Sequence, residues 1–362
     1  MSNERHFFPG SNSADGFYSL FKYILPLDKA NRVFYIKGGP GTGKSYLMKK
    51  IAGLFKSEDY TLEYFHCSSD NESLDAINIK ELNIALIDGT SPHMQDPSYP
   101  GALDEIIDFG VSLDRDKLFS HKDEIIKINK DISSTFKRAF SYLNASKSIH
   151  GNWSFRNKDY LNFEALNSLK LELKDMIFKN YTDYSKFTPF NRHLFSTAFT
   201  PNGIISYIDT LYKNYENVYI LKGEPGTGKH ELLTYVKNEA LTRRMTVEVL
   251  HHPLIPDRIE HILLPEVSTV ILTSNEINQK DFSGIQINTN NLLDSGVDFY
   301  KDSMKQDKEN FYFLIDEALN TLSKCKKLHD DLEGFYTSNI DFSTVDSISS
   351  AVIQRILNYK ES

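Results

Sequence analysis

The sequence has few cysteines, no long apolar run and no recognisable targeting segment. Its two cysteines, Cys67 and Cys325, are too few for a disulfide framework, so we expect a reducing, cytoplasmic environment. No apolar stretch approaches the ~18 residues of a membrane-spanning helix, which argues against a membrane protein. The polar segment 1–16 lacks the apolar centre of a signal peptide.

An excess of positive charge is also missing. The net charge is −8, and no basic, aromatic-rich patch is visible, so we expect no nucleic-acid partner. Hydrophobic residues make up 40% of the chain and charged residues 25%, as in soluble globular proteins. With 362 residues, the chain is long enough for two domains that each bury a core.

Two glycine-rich segments fit the phosphate-binding pattern G-x-x-x-x-G-K, and both predict binding of a nucleoside triphosphate, ATP in our interpretation. The first segment ends with the hydroxyl residue that completes the pattern. It consists of Gly38, Gly39, Pro40, Gly41, Thr42, Gly43, Lys44 and Ser45. The second consists of Gly223, Glu224, Pro225, Gly226, Thr227, Gly228, Lys229 and His230.

The two segments belong to a duplicated chain. An offset of 185 relates Lys44 to Lys229 and His66 to His251, and the offset is 187 upstream and 179 downstream. Such drifts are what loop insertions produce. We therefore predict two homologous repeats, residues 1–187 and 188–362, joined near 181–191.

Each repeat predicts alternating strands and helices. Short β-rich runs at 32–37 and 217–222 lead into the glycine segments, and the helices 44–55 and 229–240 follow them. Further strands are predicted at 60–66 and 83–87, and at 245–251 and 269–272. This order is typical of a mostly parallel α/β sheet, and we expect each repeat to form a three-layer α/β/α P-loop domain. Apolar residues at helical spacing near 125–143 and 311–325 predict a helical appendage in each repeat.

The residue types of the first segment explain its predicted chemistry. Glycines allow a sharp turn whose backbone amides approach phosphate, helped by the start of the following helix. We expect Lys44 to pair with the β and γ phosphates, Ser45 to bind Mg²⁺, and Asp88, at the end of an apolar strand, to be the second magnesium ligand. Asp88 could instead cap the turn that follows it. The segment 311–317 resembles a strand that ends in acidic residues, and it competes with Asp88 for the role of magnesium ligand. Its apolar residues have helical spacing, however, and the repeat alignment places it within a helix.

The group that activates water in the first site is left open by the sequence. We name Asp70 as the catalytic candidate, with His66 and the segment 91–93 as alternatives. Asp70 and His66 could equally be cap and strand-end residues. A metal site formed by His66, Cys67 and His93 is conceivable from residue types, but its spacing matches no standard zinc pattern.

The second site lacks both predicted magnesium ligands. His230 replaces the hydroxyl residue, and Thr273 stands at the position of Asp88. Metal stabilisation of a transferring phosphate contributes several kcal/mol, so we expect turnover there to be slower by roughly 10²–10⁴-fold, or absent. The second site is then regulatory or structural.

The glycine segments resemble those of the P-loop NTPase superfamily, with PGTGK similar to AAA+ proteins. The second segment resembles that of enhancer-binding AAA+ activators, which carry Glu after the Lys and still hydrolyse ATP. The whole chain resembles a bacterial family of tandem P-loop proteins labelled loosely as ATPases or nucleotide kinases. The chain lacks the AAA+ glutamate after Asp88, an identifiable sensor and a clear arginine finger, which puts ring assembly in doubt. The segments that carry the family resemblance are 5–8, 66–70, 88–93, 100–101, 192–195 and 273–275.

Three functions fit these observations. The first is a Mg²⁺-dependent ATPase used as a conformational switch, possessing one active and one nucleotide-sensing repeat and acting on an unidentified protein partner. The second is a small-molecule or nucleotide kinase, in which a helical appendage closes over a phosphoryl acceptor and Arg115, Arg138 or Arg156 serves as a lid cation. The third is a nucleotide-gated binding module without turnover.

Overall fold

The protein is described by a computed structural model that covers residues 4–90, 94–179, 181 and 190–360. Two six-stranded mixed sheets, two small hairpins and eight α-helices account for most of these residues. The predicted joint at 181–191 lies largely outside the described residues, as do Ser91, Pro92 and His93.

The first half forms the first sheet and the first long helices. The helices are α1 (Lys44–Lys56), α2 (Arg115–Ser120), α3 (Lys122–Asp159) and α4 (Phe163–Phe178). The strands are β1 (Glu4–Phe7), β2 (Gly10–Ser13), β3 (Gly16–Ser19), β4 (Arg32–Lys37), β5 (Leu62–His66), β6 (Leu74–Ile79), β7 (Ile84–Asp88) and β8 (Asp104–Asp108).

The second half repeats this order of elements. Its helices are α5 (Asp209–Tyr212), α6 (Lys229–Thr242), α7 (Lys301–Thr337) and α8 (Phe342–Asn358). Its strands are β9 (Asn191–Leu194), β10 (Thr197–Thr200), β11 (Gly203–Ser206), β12 (Asn217–Lys222), β13 (Val247–His251), β14 (Ile259–Leu264), β15 (Thr269–Ser274) and β16 (Ile285–Asn288).

The two sheets have the same strand order. It is β1-β5-β6-β7-β4-β8 in the first sheet and β9-β13-β14-β15-β12-β16 in the second. In both sheets three neighbouring pairs are parallel and two are antiparallel. The α/β class and the predicted strands and helices are therefore confirmed. The antiparallel strands β6 and β14 are additions that the sequence did not predict.

The layers differ from the predicted α/β/α arrangement. One face of each sheet packs on helices, as Phe34 and Ile36 do against Leu47 of α1. The other faces of both sheets contribute to one shared hydrophobic core, in which Val33 and Ile220 are both fully buried. A strand that is apolar on both faces does not reveal whether a helix or a second sheet covers it.

The helices that end the two halves are exchanged. Helix α4 follows the first sheet in the chain, yet its Leu166 and Leu173 pack against the core of the second sheet. Helix α8 follows the second sheet, and its Val345 and Val352 pack against the first. The boundary at 187 and 188 remains a prediction about sequence repeats, because packing crosses it in both directions.

The exchange is supported by paired backbone contacts. Asp341 N–H donates to Ser112 O over 2.8 Å, and Asn162 N–H donates to Leu292 O over 2.8 Å at the equivalent place. Helices α3 and α7 pack along each other, with Leu143 and Leu322 buried between them. No helix among the described residues has the length and apolarity needed to cross a membrane.

Candidate functional site

The first glycine segment forms the turn between β4 and α1, as predicted. Gly41 and Gly43 adopt φ values of 67° and 90°, a left-handed conformation that side chains with a Cβ rarely adopt. Gly43 is the residue that precedes the first turn of α1. The Thr42 hydroxyl donates to Gly39 O over 2.9 Å and tightens the turn.

The ammonium group of Lys44 is turned back onto its own loop. It donates to Gly39 O over 2.8 Å, and it lies 3.4 Å from Gly38 O. It also lies 3.6 Å from the Asp88 carboxylate, and only about 9% of Lys44 is exposed. Lys44 and Asp88, which are 44 positions apart in the sequence, are therefore brought together.

Asp88 ends β7, which pairs in parallel with β4, and its register partner is Ile36. The two oxygens of its carboxylate have different surroundings. Oδ1 accepts from the backbone N–H and the hydroxyl of Thr90, at 2.9 and 2.6 Å, while Oδ2 faces Lys44. The cap and the ligand interpretations are thus compatible, because one oxygen caps the turn and the other is directed at the loop.

Ser45 and His230 occupy equivalent positions in the two halves. The Ser45 hydroxyl accepts from Leu74 N–H over 3.0 Å, and His230 Nδ1 accepts from Ile259 N–H over 3.2 Å. Each acceptor therefore anchors the first turn of its helix to the start of the unpredicted antiparallel strand. Only the serine oxygen is a hard ligand of the kind that Mg²⁺ prefers.

Asp75 is a further acidic residue of the first site, and the sequence reasoning missed it. It lies on β6, 5% exposed, beside Asp88 on the neighbouring strand. Burial, followed by the charge of Asp88, raises the pKa of Asp75 well above its usual value, and Lys44 opposes the shift. The repeat offset of 185 relates Asp75 to Glu260, and this pairing of two acids was the signal that could have identified it.

Asp70 lies in the turn between β5 and β6. Its carboxylate accepts from the Ser73 hydroxyl over 2.9 Å, and it lies 3.7 Å from the ammonium group of Lys326 on α7. These contacts are those of a turn cap that also pairs with the other half of the chain. A catalytic role for Asp70 stays a prediction.

His66 uses both ring nitrogens within the protein. Its Nδ1–H donates to Asn71 O over 3.0 Å, so Nε2 accepts from His6 Nδ1–H over 2.8 Å. Burial lowers the pKa of His66 to about 4, which keeps the ring neutral. His251 and His193 repeat this pair at 2.7 Å in the second half. Both histidine pairs are therefore hydrogen-bonded within the protein, and a catalytic role for His66 stays a prediction. His93 of the conceivable metal site lies outside the described residues.

The first glycine loop is covered by the exchanged helices of the second half. A Cβ built on Gly39 would lie 2.5 Å from the ring of Tyr336, and one on Gly41 would lie 2.7 Å from Cγ of Glu333. A Cβ built on Gly43 would lie 3.4 Å from Cγ1 of Val345 on α8. The lid over the first loop thus comes from α7 and α8 and not from the helices that follow β8.

The second glycine loop is covered in the same way by the first half. Asn157 of α3 donates to Pro225 O over 2.7 Å, and a Cβ on Gly228 would lie 2.8 Å from Leu166 of α4. Arg156 of α3 stacks over Tyr300, 4.5 Å from the ring centre. Arg115 and Arg138, the other suggested lid cations, are exposed.

Lys229 has the conformation of Lys44, since it donates to Gly223 O and to Glu224 O. Thr273 is the register partner of Leu221, which is the place of Asp88 in the first half. A different carboxylate, Glu276, acts on Lys229: burial lowers the pKa of Lys229, and the charge of Glu276 opposes that shift.

Glu276 is held by histidines from both halves. Its Oε1 lies 2.5 Å from Nε2 of His150 on α3 and 3.5 Å from Nε2 of His252. Burial alone would raise the pKa of Glu276, but the two histidines hold it well below its usual value. The second site therefore has a buried carboxylate after all, at a position that the repeat alignment did not indicate.

One three-residue cluster with metal-ligand side chains lies near the first loop in the described ranges. His329, Asp330 and Glu333 of α7 have ligand atoms within 4.8 Å of one another, and Asp330 also pairs with Lys326. It contains neither Ser45 nor Asp88. The segment 311–317, which resembles an acidic strand end, lies within α7 and is helical, as expected.

Comparison with known families matches residues 19–145 to the model described as nephrocystin 3, N-terminal. The match includes the first glycine loop, Asp75 and Asp88, and it covers about a third of the chain. No curated protein and no solved structure matches the chain significantly. The chain is thus similar to the nephrocystin 3 N-terminal model over strands β4 to β8 of the first sheet, over α1 and α2, and over the first part of α3.

Proposed function

We propose that the chain is a Mg²⁺-dependent ATPase that acts as a conformational switch, with a hydrolytic first site and a regulatory second nucleotide site. The proposal identifies the two halves as tandem P-loop repeats. The observation that carries it is the first loop itself. Lys44 lies 3.6 Å from Asp88, Ser45 follows Lys44 in the first turn of the helix after the glycine turn, and the loop lies under helices of the other half.

The donor set suits the proposed ligands. The Ser45 hydroxyl and the Asp88 carboxylate are hard oxygens at the start of a helix, and Lys44 supplies a cation for a phosphate. Bound magnesium would neutralise charge that develops on the transferring phosphate. In the observed conformation the Lys44 ammonium group is satisfied by two carbonyls of its own loop, which a phosphate would replace.

The switch follows from the cover over the loop. Tyr336 and Glu333 lie against Gly39 and Gly41, where glycines leave room for a phosphate to approach the backbone. A triphosphate must move them, and they belong to the long helix α7 that packs on α3. Binding at the first site would therefore be transmitted to α3 and to the second site.

Asp75 is our candidate for the general base, ahead of Asp70. It is buried beside Asp88 and Lys44, and its raised pKa favours uptake of a proton from an attacking water. Both aspartates have partners, Cys67 for Asp75 and Ser73 with Lys326 for Asp70, so the preference for Asp75 rests on its position beside Asp88 and Lys44.

The proposal is tested by nucleotide consumption of the wild type, Lys44→Ala and Lys229→Ala, with and without a pool of small metabolites. Release of phosphate that requires Lys44 and needs no acceptor supports the ATPase. Turnover that appears only with an added acceptor supports a kinase instead. Tight binding without turnover in both conditions supports a binding module. Turnover that requires Lys229 but not Lys44 would reverse the roles of the two sites.

A further inference from the structure

A cavity of about 510 Å³ lies between the two halves, at the opposite end of the sheets from the glycine loops. Residues from both halves line it, because Thr61 and Thr246, which precede β5 and β13, are both at its wall. The volume is within the range of small-molecule sites. None of the residues assigned above to nucleotide binding takes part in it.

The cavity has an excess of positive charge. Four cations line it against two carboxylates, Glu63 and Glu248. Two of the cations, Arg5 and Arg192, are paired with these carboxylates in a buried network. The remaining two are lysines near the opening: Lys29 stacks over Phe190 at 4.9 Å, and Lys80 lies 3.9 Å from Glu63. A partly enclosed wall with two surplus positive charges attracts an anion.

A buried acceptor on the wall lacks a donor. Asn78 is 4% exposed, and its Nδ2 donates to Glu63 Oε2 over 3.0 Å. Its Oδ1 has no hydrogen-bond partner within the described part of the chain. A buried amide oxygen without a donor costs about 1–3 kcal/mol. Less than 1 Å² of Asn78 Oδ1 is accessible to solvent, so a ligand with an N–H or O–H group recovers this cost once the Asn78 side chain has turned towards the cavity.

Asn78 and Lys80 are not shared by the two repeats. In the second half Leu263 stands at the place of Asn78, since Leu263 pairs with Glu248 of β13 and Asn78 pairs with the equivalent Glu63 of β5. The repeat offset places Pro265 opposite Lys80. The surplus lysines and Asn78 of the cavity are therefore contributed by the first half. Apolar residues of both halves also line it, including Leu25, Pro26, Leu211 and Pro265.

We propose that this cavity binds a small phosphomonoester that carries hydroxyl or amino groups, such as a sugar phosphate or a nucleoside monophosphate. The phosphate, with nearly two negative charges at neutral pH, pairs with Lys29 and Lys80. A hydroxyl or amino group of the ligand donates to Asn78 Oδ1 after this side chain has turned towards the cavity. The apolar side of the cavity distinguishes these two ligands, because the base of a nucleoside monophosphate would pack there and a sugar phosphate has no base.

The test is calorimetric titration of the full chain with AMP, ribose 5-phosphate, malate and sulfate. We expect both phosphomonoesters to bind more tightly than malate or sulfate, and AMP more tightly than ribose 5-phosphate if a base occupies the apolar side. The variant Lys29→Gln/Lys80→Gln should bind each phosphomonoester at least about tenfold more weakly, because two charges are lost. Asn78→Leu, which copies the second half, should weaken both by about fivefold and leave sulfate unchanged.

Binding at the glycine loops is the main confounder, so the titration is repeated with Lys44→Ala/Lys229→Ala. Binding that persists in this variant and falls with the lysine substitutions supports the cavity, whatever the result for ATP turnover. Binding lost in the loop variant, or unchanged in Lys29→Gln/Lys80→Gln, overturns the proposal. So does the absence of binding to any phosphomonoester, or tighter binding of malate. The two lysines are exposed, so this variant is expected to fold even if Asn78→Leu does not.

Discussion

Glu333 of α7 lies over Gly41 of the first glycine loop, so that a Cβ built on Gly41 would come within 2.7 Å of the Glu333 Cγ and 3.0 Å of its Oε1. The relationship joins residues that are almost 300 positions apart. It puts a carboxylate where the proposed function requires phosphate. With Glu333 in this position, the first glycine loop opposes the binding of ATP both sterically and by charge.

Replacing Glu333 by Gln should tighten ATP binding at the first site. Removal of one like charge near a partly exposed phosphate is worth about 1 kcal/mol, or about fivefold in affinity, and the gain should shrink as salt rises. The measurement is titration with a fluorescent ATP analogue in the Lys229→Ala background. Asp331→Asn is the matched control, because it removes the same charge from an exposed position of the same helix. Equal effects of the two substitutions would contradict a direct role of Glu333.

Asp75→Asn should reduce ATP turnover by about 100-fold while ATP binding stays within about threefold, because a general base contributes to the chemical step. The wild-type rate should rise with pH through the raised pKa of Asp75, and the variant should lose this rise. Single-turnover phosphate release across pH measures both effects. Asp70→Asn is the comparison. A larger loss in Asp70→Asn than in Asp75→Asn would restore Asp70 as the catalytic residue.

Glu276→Gln should weaken nucleotide binding at the second loop. The charge of Glu276 supports the protonated form of Lys229, which burial disfavours, so the neutral variant should hold phosphate less well. We expect a loss of roughly tenfold that is greater at pH 9 than at pH 7. Binding is measured in the Lys44→Ala background, with the exposed Asp281→Asn as control. Unchanged affinity at both pH values would show that Glu276 acts only in packing.

Much of the fold was predictable because it depends on local patterns. The strand at Arg32–Lys37 and the helix that begins at Lys44 are confirmed at their predicted starts. The duplication identified α3 and α7 as equivalent helices, and it correctly assigned 311–317 to a helix. The pair Lys44 and Asp88 was predictable because the glycine loop after β4 leads to Lys44, while Asp88 ends the neighbouring apolar strand β7.

What the sequence did not reveal depends on packing between distant segments. Nothing in the apolar pattern of α4 or α8 states which of two similar sheets each helix covers, and the structure exchanges them. Glu276 lies after β15, outside the strand that the repeats align, and it pairs with His150 of the other half. Asp75 was not identified because it lies in β6, where polar and apolar residues alternate too weakly to predict a strand. The acidic residue Glu260 at the equivalent position of the second half was the available signal.

Glu260 predicts a pH dependence of stability. Burial raises its pKa to about 8 from an ordinary value near 4.5. The folded state therefore binds more protons than the unfolded state between these values, and stability from this group falls as pH rises towards 8. Glu260→Gln should remove the fall, so its melting temperature relative to wild type should increase from pH 6.5 to pH 8.5. Melting curves of both proteins at the two pH values test this, and a constant difference between them would refute it.

Arg192 predicts how firmly the two halves are joined. Its guanidinium group donates to both oxygens of Glu63 over 2.7 Å, in a network that also includes Arg5 and Glu248. Glu63 is fully buried, and its carboxylate charge is compensated by groups from both halves, so its pKa is lowered in spite of burial. Arg192→Met should lower the free energy of unfolding by about 3–5 kcal/mol, because the remaining buried charges lose a partner.

The control is Lys360→Met, which breaks an exposed pair with Glu58 and should cost less than about 1 kcal/mol. Because the shared core and the exchanged helices link the halves, the wild type should unfold in one transition. Arg192→Met weakens the charged contact between the sheets and leaves the helix exchange intact, so it should still unfold in one transition at a lower denaturant concentration. Two separate transitions in the variant would show that the network, and not the exchange of α4 and α8, makes the halves cooperative.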